Sequence, residues 1–156
     1  MIPDEIKATM EHESEFVLMS DLEKRKAVYG ICAECNEPGT GRNWCRPCNA
    51  KRFKENFKNW SSGNKIIDEL IQDAQLNAVH HTQCLEWFPF DQFDEVTYLA
   101  KGGFGKVYSA GWTEGFIKLW DIKKQKWLRH QNKFVALKSL NNSSNISVEF
   151  VNEVIN

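Results

Sequence analysis

The chain has 156 residues, of which 42% are hydrophobic, and its formal net charge is −1. The near-neutral charge gives no overall attraction to nucleic acid or membranes, and the composition is typical of a globular protein rather than a disordered one. No apolar run reaches the roughly 18 residues of a membrane span, and the acidic N-terminus is unlike a secretory signal. Five cysteines without such a signal predict a reducing compartment, the cytoplasm, with the nucleus as the alternative.

The first segment, residues 1–29, is predicted to become helical towards its end. The run Ser20-Asp21-Leu22-Glu23 matches a capping box in which Ser20 is the N-cap and Glu23 reaches back to it. Gly30 is suited to end the helix, because glycine adopts the positive φ angle of a C-cap. We therefore predict a helix over 21–29.

The next segment, residues 30–60, contains two CxxC turns, Cys32-x-x-Cys35 and Cys45-x-x-Cys48. A CxxC turn brings two thiolates to one side, and two such turns complete the tetrahedral shell of a zinc ion. Pro38, Gly39 and Gly41 suit the tight reversal between them. A structural zinc site is favoured, since four protein ligands leave no position open for catalysis. Unligated thiols and a disulfide pair stay as alternatives.

A helix over about 49–60 follows the cysteines, because Phe53, Phe57 and Trp60 recur at helical spacing. The segment between residues 42 and 58 carries one acid and a local charge of +5 from Arg42, Arg46, Lys51, Arg52, Lys54 and Lys58. Basic and aromatic residues in one segment can form a nucleic-acid surface. A solvated helix face is the favoured interpretation, so nucleic acid is not an expected partner.

Residues 61–86 are predicted to be a linker helix. Asn64 is suited to cap its N-terminus. An amphipathic helix over 65–79 is indicated by an apolar stripe at helical spacing, formed by Ile66, Ile67, Leu70, Ile71 and Ala74.

Residues 87–156 have the alternating pattern of strands. We predict strands over 93–99, 107–112 and 134–140, an inserted hairpin with strands over 116–120 and 126–129, and a helix that begins at 147. Trp120 and Trp127 are expected to face each other across the inserted hairpin. The predicted fold class is therefore α+β, with helices and a small zinc knuckle followed by a partial antiparallel sheet.

The run Lys101-Gly102-Gly103-Phe104-Gly105-Lys106-Val107-Tyr108 joins two of these strands. Glycines in such a turn let backbone N–H groups approach phosphate oxygens without a side chain in the way. Lys138, in Val135-Ala136-Leu137-Lys138, adds a positive charge from a neighbouring strand. A Rossmann turn would need a helix directly after Gly105, whereas Val107-Tyr108 continues as a strand.

Together these segments resemble the N-terminal part of a large fungal family of protein kinases that carry a short four-cysteine module before the kinase domain. The resemblance covers most of residues 25–156 and includes Tyr29-Gly30-Ile31-Cys32, both CxxC turns, Asn59-Trp60, Leu85-Glu86-Trp87 and the run from Ala100 to Tyr108. It implies an ATP site formed by Ala100, Gly102, Gly103, Phe104, Gly105, Val107, Ala136 and Lys138. Ala100 stands where the family pattern has a first glycine. The resemblance also implies a supporting salt bridge from Lys138 to Glu153, with Glu149 as the alternative.

Phosphoryl transfer needs a catalytic-loop aspartate and asparagine and the metal-binding aspartate of an Asp-Phe-Gly motif. The sequence contains no Asp-Phe-Gly and no His-x-Asp catalytic-loop motif. We therefore expect a kinase-family fragment, truncated in the small lobe, that binds ATP but lacks Mg²⁺ sites and does not transfer phosphate alone. The alternative is a non-enzymatic zinc-knuckle module that binds a protein partner and keeps a vestigial ATP-binding segment. Residues 87–156 are also expected to expose apolar surface and aggregate.

Overall fold

The computed structural model describes residues 17–103 and 105–140 of the chain. It divides into two compact units, Met1–Leu85 and Glu86–Asn156. Within the described residues, the first unit contains three α-helices, and the second contains two small antiparallel sheets. The predicted α+β fold class is therefore confirmed.

Helix α1, Leu22–Tyr29, begins one residue later than the proposed capping box requires. The Asp21 side chain accepts a hydrogen bond from the Lys24 backbone N–H at 2.9 Å, so Asp21 is the N-cap. The prediction of Ser20 as the cap is wrong, because the Asp21 N–H donates to the Leu18 carbonyl at 3.0 Å and encloses Ser20 in a turn. The helix ends at Gly30, as predicted, with a φ of 74°.

Helix α2, Arg46–Asn56, begins three residues earlier than predicted and continues as a 3-10 turn over Phe57–Asn59. Cys45 is its extended N-cap residue, and a proline lies in the first turn, where no backbone N–H is needed for the helix. The buried side of α2 carries Asn49 and Phe53. The Phe53 ring packs at 6.3 Å from the Trp44 ring, measured between centroids.

Helix α3, Lys65–Asn77, has the predicted cap, because the Asn64 side chain accepts from the Ile66 and Ile67 backbone N–H groups. Its buried residues are Ile71 and Gln75, whereas Ile66 is 60% exposed. The inclusion of Ile66 in the buried stripe is therefore wrong. At about 100° per residue, Ile66 points roughly 140° away from Ile71 around the helix.

The core of the first unit joins the cysteine-bearing segment to the chain after α3. Trp44 is 2% exposed, and its indole Nε1 donates a hydrogen bond to the Ala78 carbonyl at 2.8 Å. The Thr40 hydroxyl donates to the Val79 carbonyl at 3.0 Å. At Gly41 an added Cβ would stand 2.5 Å from the same carbonyl oxygen, so this close approach requires glycine.

The second unit contains a three-stranded antiparallel sheet of β1, Phe93–Lys101, β2, Gly105–Trp112, and β5, Lys133–Leu140. The strand order is β1-β2-β5. These strands confirm the predicted ones, while the predicted helix from 147 lies outside the described residues. Large apolar side chains of this sheet are exposed as expected, among them Leu99 at 58% and Phe134 at 75%.

The inserted hairpin is also confirmed, as a separate two-stranded sheet of β3, Phe116–Asp121, and β4, Lys126–His130. Trp120 and Trp127 lie directly opposite each other, with ring centroids 5.1 Å apart and an edge-on arrangement. Arg129 of β4 forms a bidentate ion pair with Glu86, through hydrogen bonds of 3.0 and 2.7 Å. Within the described residues, no helix is both long enough and apolar enough to cross a membrane.

Candidate metal centre and glycine hairpin

The first cysteine pair lies in a tight turn between α1 and α2. The Cys32 N–H donates to the Glu37 carbonyl, and the Asn36 N–H donates back to the Cys32 carbonyl, both at 2.9 Å. Asn36 takes the positive φ of 60° that this reversal needs, and asparagine tolerates such a φ better than most residues. The turn therefore presents the Cys32 and Cys35 side chains together.

The second pair lies at the start of α2, with Cys45 as the N-cap residue and Cys48 in the first turn. Backbone N–H groups at a helix N-terminus point towards this position and favour negative charge there. A thiolate is the form of cysteine that binds a metal. At Cys45 the backbone N–H of Cys48 donates to the sulfur, and this contact favours the thiolate.

The four cysteine sulfur atoms form one cluster and all lie within 4.8 Å of one another. The Cys32 and Cys48 sulfurs are 3.9 Å apart, and those of Cys35 and Cys45 are 3.6 Å apart. A disulfide needs about 2.05 Å, so the disulfide alternative is wrong. A zinc ion with Zn–S bonds of about 2.3 Å would separate its tetrahedral ligands by about 3.8 Å. The four cysteines are thus positioned to bind a metal ion.

The protonation of this cluster depends on burial and on the sulfurs themselves. Burial, together with the neighbouring Cys35 and Cys32 sulfurs, raises the pKa of Cys45 to about 11, although hydrogen bonds with Cys48 oppose this. Burial, followed by the Cys45 and Cys35 sulfurs, also raises the pKa of Cys48. At Cys32 burial opposes ionisation, but backbone N–H groups of Cys35 and Glu34 donate to the sulfur and lower its pKa. Four thiolates this close together require a cation to offset their mutual repulsion.

Two arginines to which the sequence analysis gave no structural role hold the surrounding loops. Arg25 of α1 donates to the carbonyls of Gly39, Pro38 and Met19 at 3.0, 2.7 and 2.8 Å. Arg52 of α2 forms an ion pair with Glu34 in the first cysteine turn. The loop between the cysteine pairs is therefore fixed by long-range contacts that no local sequence pattern encodes.

Four residues of the predicted ATP site lie on one face of the three-stranded sheet. Ala100 is directly opposite Val107, and Val107 is directly opposite Lys138, so the three form a row across β1, β2 and β5. Ala136 pairs with Ser109, two residues along β2 from Val107. Because directly opposed residues and residues two apart share a face of a sheet, Ala136 belongs to the same face.

The glycine turn closes β1 onto β2 at the end of this row. The Gly102 N–H donates to the Gly105 carbonyl at 2.6 Å. A Cβ added at Gly103 would meet no described atom within 4 Å, and at Gly102 it would make only an ordinary contact of 3.5 Å. Neither glycine has a positive φ. Among the other predicted site residues, Phe104, Glu149 and Glu153 lie outside the described residues.

Comparison of the chain with protein-family models, with curated proteins and with solved structures finds no match. The resemblance to protein kinases therefore rests on the motif residues alone and stays a prediction. The geometry provides two places for chemistry, a cluster of four sulfurs in the first unit and a glycine hairpin beside a lysine-bearing sheet face in the second.

Proposed function

We propose that the chain binds ATP through the second unit, as the N-terminal part of a protein kinase. The observation that supports this most is the row of Ala100, Val107 and Lys138 beside the glycine turn. In this arrangement the Lys138 ammonium pairs with the phosphates, while Val107 and Ala136 contact the adenine ring. The proposal concerns nucleotide binding alone, since the sequence has no Asp-Phe-Gly motif for a catalytic metal.

The two glycines at the tip of the turn support the same proposal. At Gly41 the fold itself requires glycine, because a side chain would collide with the backbone. At Gly102 and Gly103 neither crowding by described atoms nor a positive φ requires it. A turn without side chains is needed, however, where a phosphate must approach backbone N–H groups.

The test compares Lys138→Met with Lys133→Met in the full chain, by titration with a fluorescent ATP analogue and Mg²⁺. Lys133 is a matched control, because it lies on the same strand at the opposite end, facing Trp112, and loses the same charge. Loss of a charge-assisted hydrogen bond costs about 1.5–3 kcal/mol, so we expect Lys138→Met to weaken binding about 10- to 150-fold. Lys133→Met should bind as the unchanged chain does. Equal affinities of the two variants would refute the proposed site.

The metal of the first unit is proposed to be a structural Zn²⁺ ion. Four thiolates form a soft donor set, which zinc accepts in tetrahedral geometry. All four coordination positions would be filled by Cys32, Cys35, Cys45 and Cys48, so the ion would hold the two turns together without taking part in catalysis. In structural sites of this kind metal binding is part of the free energy of folding.

Native mass spectrometry of the full chain tests the zinc proposal, with one Zn²⁺ per chain expected. Cys48→Ser should lower the zinc content and the melting temperature of the first unit. Cys84→Ser is the control, since Cys84 lies outside the cluster, and it should retain one zinc. A chain that keeps its hydrogen-exchange protection over residues 30–60 after complete chelation would contradict a structural role.

A non-enzymatic interaction module is the second candidate. The observation that favours it is that the cysteine cluster lies in a compact unit with its own buried core around Trp44 and Phe53. This function predicts a protein partner that binds equally well to the Lys138→Met variant and is lost on chelation. Loss of partner binding in Lys138→Met would instead connect the partner to the nucleotide site.

A further inference from the structure

The six basic residues around α2 fall into two groups in the structure. Arg46 donates to the Leu76 carbonyl at 3.3 Å and to the Asn77 side chain at 2.9 Å, and Arg52 pairs with Glu34. These two arginines therefore stabilise the first unit. Arg46 is exposed despite these contacts, and the remaining four are also exposed: Arg42, Lys51, Lys54 and Lys58.

Lys51, Lys54 and Lys58, the lysine row, share one side of α2 and its 3-10 extension. At about 100° per residue they cluster roughly 150° away from the buried Asn49 and Phe53. At a rise of about 1.5 Å per residue the row is about 10 Å long. Among the described residues none of the three lysines takes part in an ion pair.

We propose that the lysine row binds the phosphodiester backbone of nucleic acid without reading its sequence. This goes beyond ATP binding and involves no residue of the nucleotide site. A length of about 10 Å of duplex carries about six phosphates, so three lysines at this spacing meet a continuous row of charge. Sequence-independent binding follows, because contacts to phosphates do not distinguish the bases.

The exposed surface of α2 favours a polyanion over a protein or a membrane. None of the described large hydrophobic side chains of this helix is exposed, and its one carboxylate is that of the exposed Glu55. Protein interfaces bury apolar side chains at their centre, and interfacial helices insert apolar side chains into the bilayer. A surface that offers charge alone fits a partner that is itself recognised by charge alone.

The expected salt dependence of duplex binding follows from counterion release. Each phosphate neutralised on a duplex contributes about −0.9 to the slope of the logarithm of the binding constant against the logarithm of salt concentration. Three lysines therefore give a slope of about −2.7, and the dissociation constant should fall in the range of about 10⁻⁴ to 10⁻⁶ M typical of non-specific binding.

The experiment uses the full, zinc-loaded chain and a fluorescein-labelled 20-base-pair duplex, followed by anisotropy from 50 to 200 mM salt. The test variant is Lys51→Gln, Lys54→Gln and Lys58→Gln together. The control variant, Lys118→Gln, Lys123→Gln and Lys124→Gln, removes the same charge from exposed positions of the inserted hairpin. Zinc content and ATP affinity report on the fold of each variant and on the nucleotide site.

We expect the lysine-row variant to bind the duplex at least about tenfold more weakly at 50 mM salt, with a slope near zero. The control should keep both affinity and slope. Equal losses in the two variants would show a diffuse charge effect and overturn the assignment, as would a flat salt response of the unchanged chain. A second duplex of unrelated sequence should bind equally, and a tenfold preference between the two would overturn sequence-independent binding. Unchanged ATP affinity in the test variant keeps this outcome separate from the ATP proposal.

Discussion

The tip of the glycine turn offers a substitution that separates folding from nucleotide binding. No described atom lies within 4 Å of the Cβ position at Gly103, and its φ is not positive. Gly103→Ala should therefore leave the fold intact. Where the native backbone suits alanine, this exchange stabilises a protein by about 0.4–1 kcal/mol, because it reduces the freedom of the unfolded chain.

The same methyl group would stand where a phosphate approaches the backbone of the turn. If it removes one charge-assisted hydrogen bond, the loss is about 1.5–3 kcal/mol, which raises the dissociation constant of ATP about 10- to 150-fold. Isothermal titration calorimetry measures the affinity, and urea unfolding of the same sample measures the stability. Stability and affinity are thus expected to change in opposite directions.

The reasoning would be refuted by a Gly103→Ala variant that folds as well as the unchanged chain and binds ATP equally well. A variant that loses stability would show that Gly103 is needed for the turn itself, and the argument from open space would then be wrong. Gly63→Ala is a control for the general effect of the exchange. Gly63 also has open space, but its φ is 83°, so alanine there should cost stability, by about 1–2 kcal/mol, and leave ATP binding unchanged.

Three further predictions concern the second unit. Gly115→Ala should lower the free energy of unfolding in urea by more than about 2 kcal/mol, because φ is 71° and an added Cβ would overlap the His130 carbonyl. A loss of stability no larger than that of Gly63→Ala would contradict this prediction. Arg129→Met should cost about 1.5–3 kcal/mol, since it leaves the half-buried Glu86 carboxylate without its charged hydrogen-bond partner, whereas Glu86→Gln should cost less. Burial raises the pKa of Glu86 although Arg129 opposes this, so the folded state holds the proton more tightly. The stability from this group should be present below the ordinary glutamate pKa and be lost as pH rises through the folded pKa, and this dependence should vanish in Glu86→Gln.

Local patterns in the sequence predicted most of the secondary structure. The strands and the Trp120–Trp127 pair followed from alternation and turn residues, and the α3 cap followed from Asn64. The first helix cap was missed because Ser20 and Asp21 are both good caps, and the choice between them depends on a turn that begins at Leu18. The start of α2 was placed too late because an apolar stripe carries no signal in a first turn that contains Cys48 and a proline.

The candidate metal site was predicted more fully than its surroundings. CxxC spacing has a direct geometric meaning, so all four sulfurs of the cluster were found from the sequence. The contacts that hold the loops were not found, among them Arg25 with Gly39 and Trp44 with Ala78. These contacts join residues 14 and 34 positions apart. A single contact between residues so far apart produces no repeating pattern, so it cannot be predicted from one sequence.

The position of the inserted hairpin has a consequence for how the second unit folds. Twenty residues, 113–132, separate β2 from β5, and β3 and β4 occupy most of them. An isolated hairpin forms within microseconds. Once β3 and β4 have paired, only a few residues remain flexible in the loop that must close when β5 pairs with β2. A fourfold shorter effective loop lowers the entropic barrier by about 1 kcal/mol. Early formation of the β3–β4 hairpin, with its Trp120–Trp127 pair, should therefore accelerate the pairing of β5 with β2 that brings Lys138 opposite Val107.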